Sequence, residues 1–180
     1  MIETPRLRVV PFGEEHLTGR YVGWLNDPVV VRYSDQRFRA HTLESCRAYM
    51  ESFAGTPHHF WAIMARDPAL GHIGNLNAYV STLHRVADVG IVVGERQAWG
   101  KGYGSEAWIA VCDYLLRPGG MRKVTAGTLE VNRPMLAIME RAGMVPDGRQ
   151  VRQNLFEGRE VDVVRAALFA DDWNPAAHGR

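Results

Sequence analysis

The sequence predicts an α/β fold, a mixed sheet of about six to seven strands covered by about four helices. Three observations carry this expectation. Asp88 to Leu116 reads as strand, glycine loop and helix, the unit that fixes one helix against one central strand. Before it, short apolar segments separated by turn residues read as antiparallel strands. After it, a second strand–helix unit and a closing hairpin complete the sheet.

Leu7, Val9 and Val10 give a first strand, interrupted by Pro11. Residues 14 to 25 are expected to be helical, with Leu17, Tyr21, Trp24 and Leu25 on one face. Asn26-Asp27-Pro28 ends that helix, since the residue before proline avoids the α region. Val29 to Phe38 shows no clear period: a short extended piece, then the polar run Ser34-Asp35-Gln36-Arg37. Thr42 suits an N-cap for a second helix carrying Leu43, Cys46, Met50 and Phe53, which Gly55-Thr56-Pro57 stops. His59 to Ala65 and about His72 to Val80 read as strands joined by the turn Arg66-Asp67-Pro68-Ala69; Ser81 to Arg85 is a polar link.

The central strand carries Val89, Ile91, Val92 and Val93, a β-branched run suited to burial on both faces. From Ser105 onward Ala107, Trp108, Val111, Cys112, Leu115 and Leu116 make the stripe of a helix packed on a sheet. Lys123 to Leu129 is the next strand, and the connection should be a right-handed parallel crossover. Asn132 caps a helix with Pro134 in its first turn, the stripe Leu136, Met139 and Ala142, and Gly143 at its end. Val151 to Phe156 and Val161 to Phe169 form a hairpin across Glu157-Gly158-Arg159. The tail from Ala170 to Arg180, polar from residue 171, is expected to fray. With no repeat or linker, residues 1–180 read as a single domain.

Composition removes several function classes. The chain is 46% hydrophobic and 23% charged, which places it among ordinary globular proteins. A net charge of +1 creates no field to draw nucleic acid or an anionic membrane. No apolar run approaches the ~20 residues of a membrane span, and the N-terminus lacks an apolar signal core, so a cytoplasmic location is expected. Cys46 and Cys112 occupy apolar helix positions and read as buried small hydrophobes. No His/Cys spacing calls for a metal, and no Gly-x-Ser-x-Gly supports serine-hydrolase chemistry.

The loop between central strand and helix holds Gly100, Gly102 and Gly104, separated only by Lys101 and Tyr103. Without Cβ atoms a backbone curls and brings several N–H groups to one ligand, and the first N–H groups of a helix lack partners of their own. The helix dipole and Lys101 add positive charge. The N–H groups of Gly100, Lys101, Gly102, Tyr103, Gly104 and Ser105 therefore form a candidate pyrophosphate site. A flexible strand–helix connection is the structural alternative. The dinucleotide fingerprint fails because Ser105 stands three after Gly102. The Walker pattern fails because five residues separate Gly94 from Gly100, and Gly102 follows Lys101.

What fits is Gln97-x-x-Gly100-x-Gly102 between a strand and a helix, which resembles the pyrophosphate loop of the GNAT family of acyl-CoA-dependent N-acetyltransferases. Thr4-Pro5-Arg6-Leu7-Arg8 and Trp24-Leu25-Asn26-Asp27-Pro28 resemble the family's RimJ/RimL branch, with Val10 where that branch usually has a second arginine. Asn132 to Met144 resembles the family segment Asn-x-x-Ala-x-x-x-Tyr-Glu-Lys-x-Gly-Phe. The likeness runs from Thr4 to Trp173.

The resemblance implies a GNAT fold splayed at the central strand. It also implies acetyl-CoA as cosubstrate and transfer of acetyl to a primary amine by direct attack in a ternary complex. The acceptor would be a small molecule such as an amino sugar, or a protein N-terminus, and a homodimer is compatible with the reading. Gln97 and Asn132 carry over as cofactor contacts, although Asn132 serves equally as a plain helix cap. Pantetheine would run along Ile91, Val92 and Val93, with Gly90 fitting a bulge or splayed edge. The N–H of Ile91 or Val92 would polarise the thioester carbonyl.

Deprotonation of an alkyl ammonium needs a base. Asp88 is the first candidate, Glu95 the second, and His84 an alternative; the other histidines (His16, His41, His58, His59, His72, His178) read as structural or surface groups. Arg32, Tyr33, Arg37 and Phe38 border the expected acceptor site and lean toward a nucleotide-sugar acceptor. Met139 stands where the family has a tyrosine that protonates the departing thiolate, and methionine donates no proton. That departure motivates a rival reading, an acyl-CoA-binding sensor without turnover.

Overall fold

The computed structural model describes residues 1–177. Its strands are β1 (Ile2–Glu3), β2 (Leu7–Pro11), β3 (His59–Ala65), β4 (His72–Ser81), β5 (Val86–Val93), β6 (Lys123–Leu129), β7 (Val145–Phe156) and β8 (Arg159–Phe169). They form one sheet in the order β1-β2-β3-β4-β5-β6-β8-β7. That is one strand more than expected, because Ile2 and Glu3 pair with Val9 and Arg8. Four α-helices accompany them: α1 (Gly19–Asn26), α2 (Leu43–Glu51), α3 (Tyr103–Leu116) and α4 (Arg133–Arg141).

The helix expected over residues 14–25 is divided. Glu14–His16 is a 3-10 turn, Thr18 is extended, and its hydroxyl accepts from the Tyr21 N–H at 3.2 Å to start α1 afresh. The closing hairpin is longer than expected, since β7 starts at Val145. Three residues, Val151 to Gln153, bulge opposite Asp162 alone. Residues Ala170–Asp172 and Pro175–Ala177 form 3-10 turns, and the Trp173 indole donates to Asp113 Oδ1 at 2.9 Å. His178 lies outside the described residues.

Two apolar clusters occupy opposite faces of the sheet. On one face α3 buries Ala107, Trp108, Val111, Cys112 and Leu115 against Ile63, Leu76, Ala78, Ala87 and Val89. On the other, α1 and α2 bury Tyr21, Trp24, Leu25 and Cys46 against Phe12, Phe60 and Ala62. The second cluster takes its sheet residues from β2, β3 and the residue after β2, Phe12, and Trp24 also packs on Gly94 just past β5. On that face Asp88, Gly90 and Val92 of β5 are only partly buried, which leaves a cleft beside them.

All neighbouring strands are antiparallel except β5 and β6, which run parallel. Their pairing has three rungs, Val86↔Lys123, Ala87↔Val124 and Asp88↔Thr125, and then ends. Beyond Asp88, β5 remains paired to β4 as far as Val93↔Gly74, while β6 remains paired to β8 as far as Leu129↔Val163. The sheet therefore splits between its two central strands, in agreement with the expected splay.

Candidate active site

The glycine loop lies at the open end of this split. Gly100 and Gly102 have φ of 70° and 81°, left-handed conformations that cost any residue with a Cβ. Gly102 is the N-cap of α3 and offers no side chain to it. Among the described residues, none of the backbone N–H groups from Gly100 to Ser105 has a protein acceptor; the first helical bond of α3 is Glu106 N–H to Gly102 O, at 3.0 Å. Six consecutive donors at a helix N-terminus form an anion cradle. Gly104 lets α3 approach closely, since a Cβ there would sit 3.3 Å from Ile138 and 3.4 Å from Val93.

A clamp that the loop motif does not reveal holds the loop from behind. Glu106, in the first turn of α3, accepts from the Thr4 hydroxyl (2.6 Å), the Arg6 N–H (3.0 Å) and Arg6 Nε (2.6 Å). Arg6 Nη1 then donates to the Lys101 carbonyl at 2.8 Å, and its guanidinium lies 4.5 Å over the Tyr103 ring. The signal was present in Thr4-Pro5-Arg6-Leu7-Arg8, but nothing local indicates that this segment reaches a loop about 95 residues away. Arg141, at the end of α4, approaches from the other side: its Nη1 would lie 3.8 Å from a Cβ on Gly102. Arg141 thus brings positive charge beside Gly102, while the charge of Arg6 is matched by Glu106. Gln97 sits exposed at its entrance, in the 3-10 turn Arg96–Ala98.

Along β5, backbone groups alternate between the two neighbouring strands. Gly94 N–H donates to Ile73 O on the β4 side, whereas Arg85 O accepts from Arg122 on the β6 side. Odd residues therefore face the split. The Ile91 N–H and C=O open into it, and the Val92 N–H turns to β4, which removes Val92 as the carbonyl-polarising donor and leaves Ile91. The Val93 carbonyl is taken by the Trp99 indole at 2.8 Å. Gly90 forms no bulge, since the β4–β5 register is unbroken; instead it clears space in the cleft, where a Cβ would meet Asn77 Oδ1 at 2.8 Å. Asn132 caps α4 through Met135 N–H and donates to the Thr128 hydroxyl at 2.8 Å, so its side chain has a structural task.

The two candidate carboxylates have different fates. Asp88 occupies the last rung before the split, on the cleft face, with its side chain about half exposed. Oδ2 accepts from the Thr125 hydroxyl at 2.7 Å and from Arg165 Nη2. Glu95 is already committed. One oxygen accepts from the Gln97 N–H at 3.0 Å and the other from Arg20. The Gln97 bond first and Arg20 second hold its carboxyl below the usual carboxylate range, so it is a poor proton acceptor. His84 lies exposed in the turn at the closed end of β5, and its carbonyl accepts from Arg122 Nε.

Arg32, Tyr33, Arg37 and Phe38 are brought together as a strap. It leaves the α1 side of the sheet, where Val31 is buried, and docks on the tip of the β7–β8 hairpin, so it crosses the open end of the split. Arg32 pairs with Glu157 at 2.7 Å, Tyr33 stacks on Phe156 at 5.4 Å, and Arg37 donates to the Leu155 carbonyl at 3.1 Å. Phe38 is 71% exposed beneath Arg37, beside an open hollow of about 490 Å³ lined by Asp35, Arg39, Asn154 and Leu155. Met139 is 4% exposed in the core, which settles its side chain as packing.

No three His, Cys, Asp or Glu side chains gather to hold a metal ion among the described residues, and no helix is long and apolar enough to cross a membrane.

Comparison with known proteins agrees with this arrangement. No curated protein sequence matches the chain. Among solved structures it is similar to a GNAT-family acetyltransferase from Bacillus anthracis, at 19% identity and a TM-score of 0.80, covering 95% of this chain and 99% of that one. It is also similar to the spermidine N-acetyltransferase of Vibrio cholerae in complex with CoA and spermine, at 16% identity and TM-score 0.81, covering 93% and 98%. A third is the ribosomal-protein-S5-alanine acetyltransferase of Vibrio fischeri, at 15% identity and TM-score 0.81, covering 96% and 98%. At these identities the likeness carries the fold. The family model of the acetyltransferase (GNAT) domain matches residues 6–145, more than half of the sequence and the whole of the cradle and split. The chain belongs to the GNAT family of acetyltransferases, whose cosubstrate is acetyl-CoA.

Proposed function

We propose that this protein transfers the acetyl group of acetyl-CoA to a primary amine by direct attack in a ternary complex. The observation that carries the reading is the pairing of a six-amide cradle with a split in which one strand's backbone is free to receive a ligand. The diphosphate of the cosubstrate would rest on Gly100 to Ser105, with Lys101 and Arg141 supplying charge and Arg6 holding the loop in place. Its pantetheine arm would add to β5 as a strand does, at the Ile91 N–H and C=O and the Val93 N–H, since the Val93 carbonyl is taken by Trp99. The Ile91 N–H would polarise the thioester oxygen and stabilise the negative charge that develops there.

The reaction consumes an ammonium and a thioester. Asp88 takes one proton from the ammonium, directly or through water, and the freed nitrogen attacks the carbonyl carbon. One C–N bond forms and the C–S bond breaks, yielding the amide, CoA and one proton. With Met139 in the core, α4 supplies no acid at the tyrosine position. As the C–S bond breaks, the second nitrogen proton passes to water, and the thiolate, which leaves as the anion, takes one proton back from water, so the one net proton is that taken by Asp88.

The acceptor cleft favours an amine of single charge, either a small molecule or a protein N-terminus. Its carboxylates are each matched by an arginine: Asp88 by Arg165, Glu157 by Arg32, and Asp35 by Arg37 at 3.5 Å. A polycation would find no unmatched acid among them. The two free, buried cysteines fit a reducing, cytoplasmic setting. Met139 also favours the second reading, an acyl-CoA sensor. CoA release measured across a panel of amino sugars, peptides with free N-termini and polyamines decides between them. Turnover of a monoamine is expected; tight acetyl-CoA binding with no turnover on any amine would establish the sensor.

A further inference from the structure

We propose that Arg165 is a positioning residue for the acceptor: together with Thr125 it fixes one oxygen of Asp88 and leaves the other aimed at the incoming ammonium. The inference rests on the acetyl-transfer reading above. Both donors reach the same atom, Oδ2, and Oδ1 accepts no hydrogen bond among the described residues although the side chain is 45% exposed. Two donors on one oxygen stop the carboxylate from turning about its own axis, so its other lone pairs keep a fixed direction. That direction is into the cleft, because Ala87 and Val89, on either side of Asp88, are buried against α3 on the opposite face.

The path of Arg165 is itself built for this reach. It starts on β8 opposite Gly127, and a Cβ on Gly127 would stand only 3.1 Å from Arg165 Nη1. A glycine at that rung lets the guanidinium lie across β6 and arrive at the last rung before the split. The remaining charged or titratable neighbour of Asp88 on its own rung is Tyr79 of β4. Its hydroxyl is engaged at 3.0 Å by Tyr49 of α2 and so is turned away from the carboxylate. Arg165 and Thr125 are therefore the groups that orient Asp88. No local motif contains them, because they come from strands 37 and 77 positions further along the chain.

The test is steady-state kinetics of wild type, Arg165→Gln, Arg165→Lys and Thr125→Val with the best monoamine of the panel. Acetyl-CoA affinity is read separately by calorimetry, and thermal melts check that each variant folds. A misaimed carboxylate is expected to lower kcat/KM for the amine by ~10–100-fold in Arg165→Gln, less than the ~10²–10⁴-fold a general base contributes in full, because the base itself remains. Lysine should restore most of it, Thr125→Val should cost about threefold, and acetyl-CoA affinity should not move. If wild type turns over the amine and both Arg165→Gln and Thr125→Val match it, Arg165 has no positioning role. A loss that appears equally in acetyl-CoA binding overturns the role as well. A wild type that releases no CoA with any amine overturns the acetyl-transfer reading, and this role with it.

Discussion

The glycine loop at the start of α3 and the strap across the hairpin tip both face solvent, yet they are held by contacts of different kinds. The loop precedes a helix whose inner face is wholly buried, and Glu106 ties it to the sheet edge through three hydrogen bonds from Thr4 and Arg6. Its own donors have no acceptor among the described residues. The strap is held by the exposed Arg32–Glu157 pair, one Arg37 bond to a carbonyl and a ring stack. Exposed ion pairs contribute little to stability because water and salt screen them. On the proposed function, the acyl-donor half of the site is built on a buried scaffold and the acceptor half is a surface assembly held by exposed contacts. Within one family this division lets the acyl donor remain fixed while acceptors vary.

The sharpest way to break the contrast is Gly102→Val. It forces a β-branched residue to φ 81° and brings a Cβ to 3.4 Å from the Arg6 guanidinium. Left-handed strain of roughly 1–2 kcal/mol predicts about a tenfold or greater loss of acetyl-CoA affinity by calorimetry, with the fold retained. Unchanged affinity would mean the cradle is not the grip.

An effect of comparable size, on stability rather than on affinity, is expected from Glu106→Gln: a loss of about 1–2 kcal/mol at neutral pH from hydrogen bonds to a charged group. The pH dependence sharpens this. Burial opposes ionisation of Glu106, but the Thr4 hydroxyl, the Arg6 N–H and the Arg6 guanidinium outweigh it and hold the carboxyl below its ordinary value. Stabilisation is therefore complete above the ordinary carboxylate range and disappears as pH falls through the depressed value. Denaturant curves of wild type and Glu106→Gln should converge in acid; a constant gap would show that shape, not charge, holds the loop.

The smallest effect belongs to the strap. Arg32→Ala should leave the melting temperature and acetyl-CoA KM nearly unchanged while raising acceptor KM by about threefold, the size of one exposed contact. A large drop in melting temperature would make the strap a structural member rather than an adjustable one.

Much of the donor half was legible in the sequence, because its determinants are local. Gly100 and Gly102 are glycines for reasons of φ, Asn132 and Thr42 cap the helices that follow them, and the stripe from Ala107 to Leu116 is the buried face of α3. Those features follow from backbone sterics and helical period, which neighbouring residues settle among themselves. What the sequence did not determine depends on distant strands. Glu95 was the second candidate base, and only the arrival of Arg20 and the cap of its own turn show both its oxygens engaged. Asp88 gained Arg165, Arg6 found Lys101, and the strap found the hairpin, each by a contact that a one-dimensional pattern does not carry. The direction in which Ile91 and Val92 present their N–H groups was likewise open until β4 and β6 took their sides. Periodicity says which residues are buried, but the partner of a charged or hydrogen-bonding group is chosen by sheet order, and sheet order exists only in the folded chain.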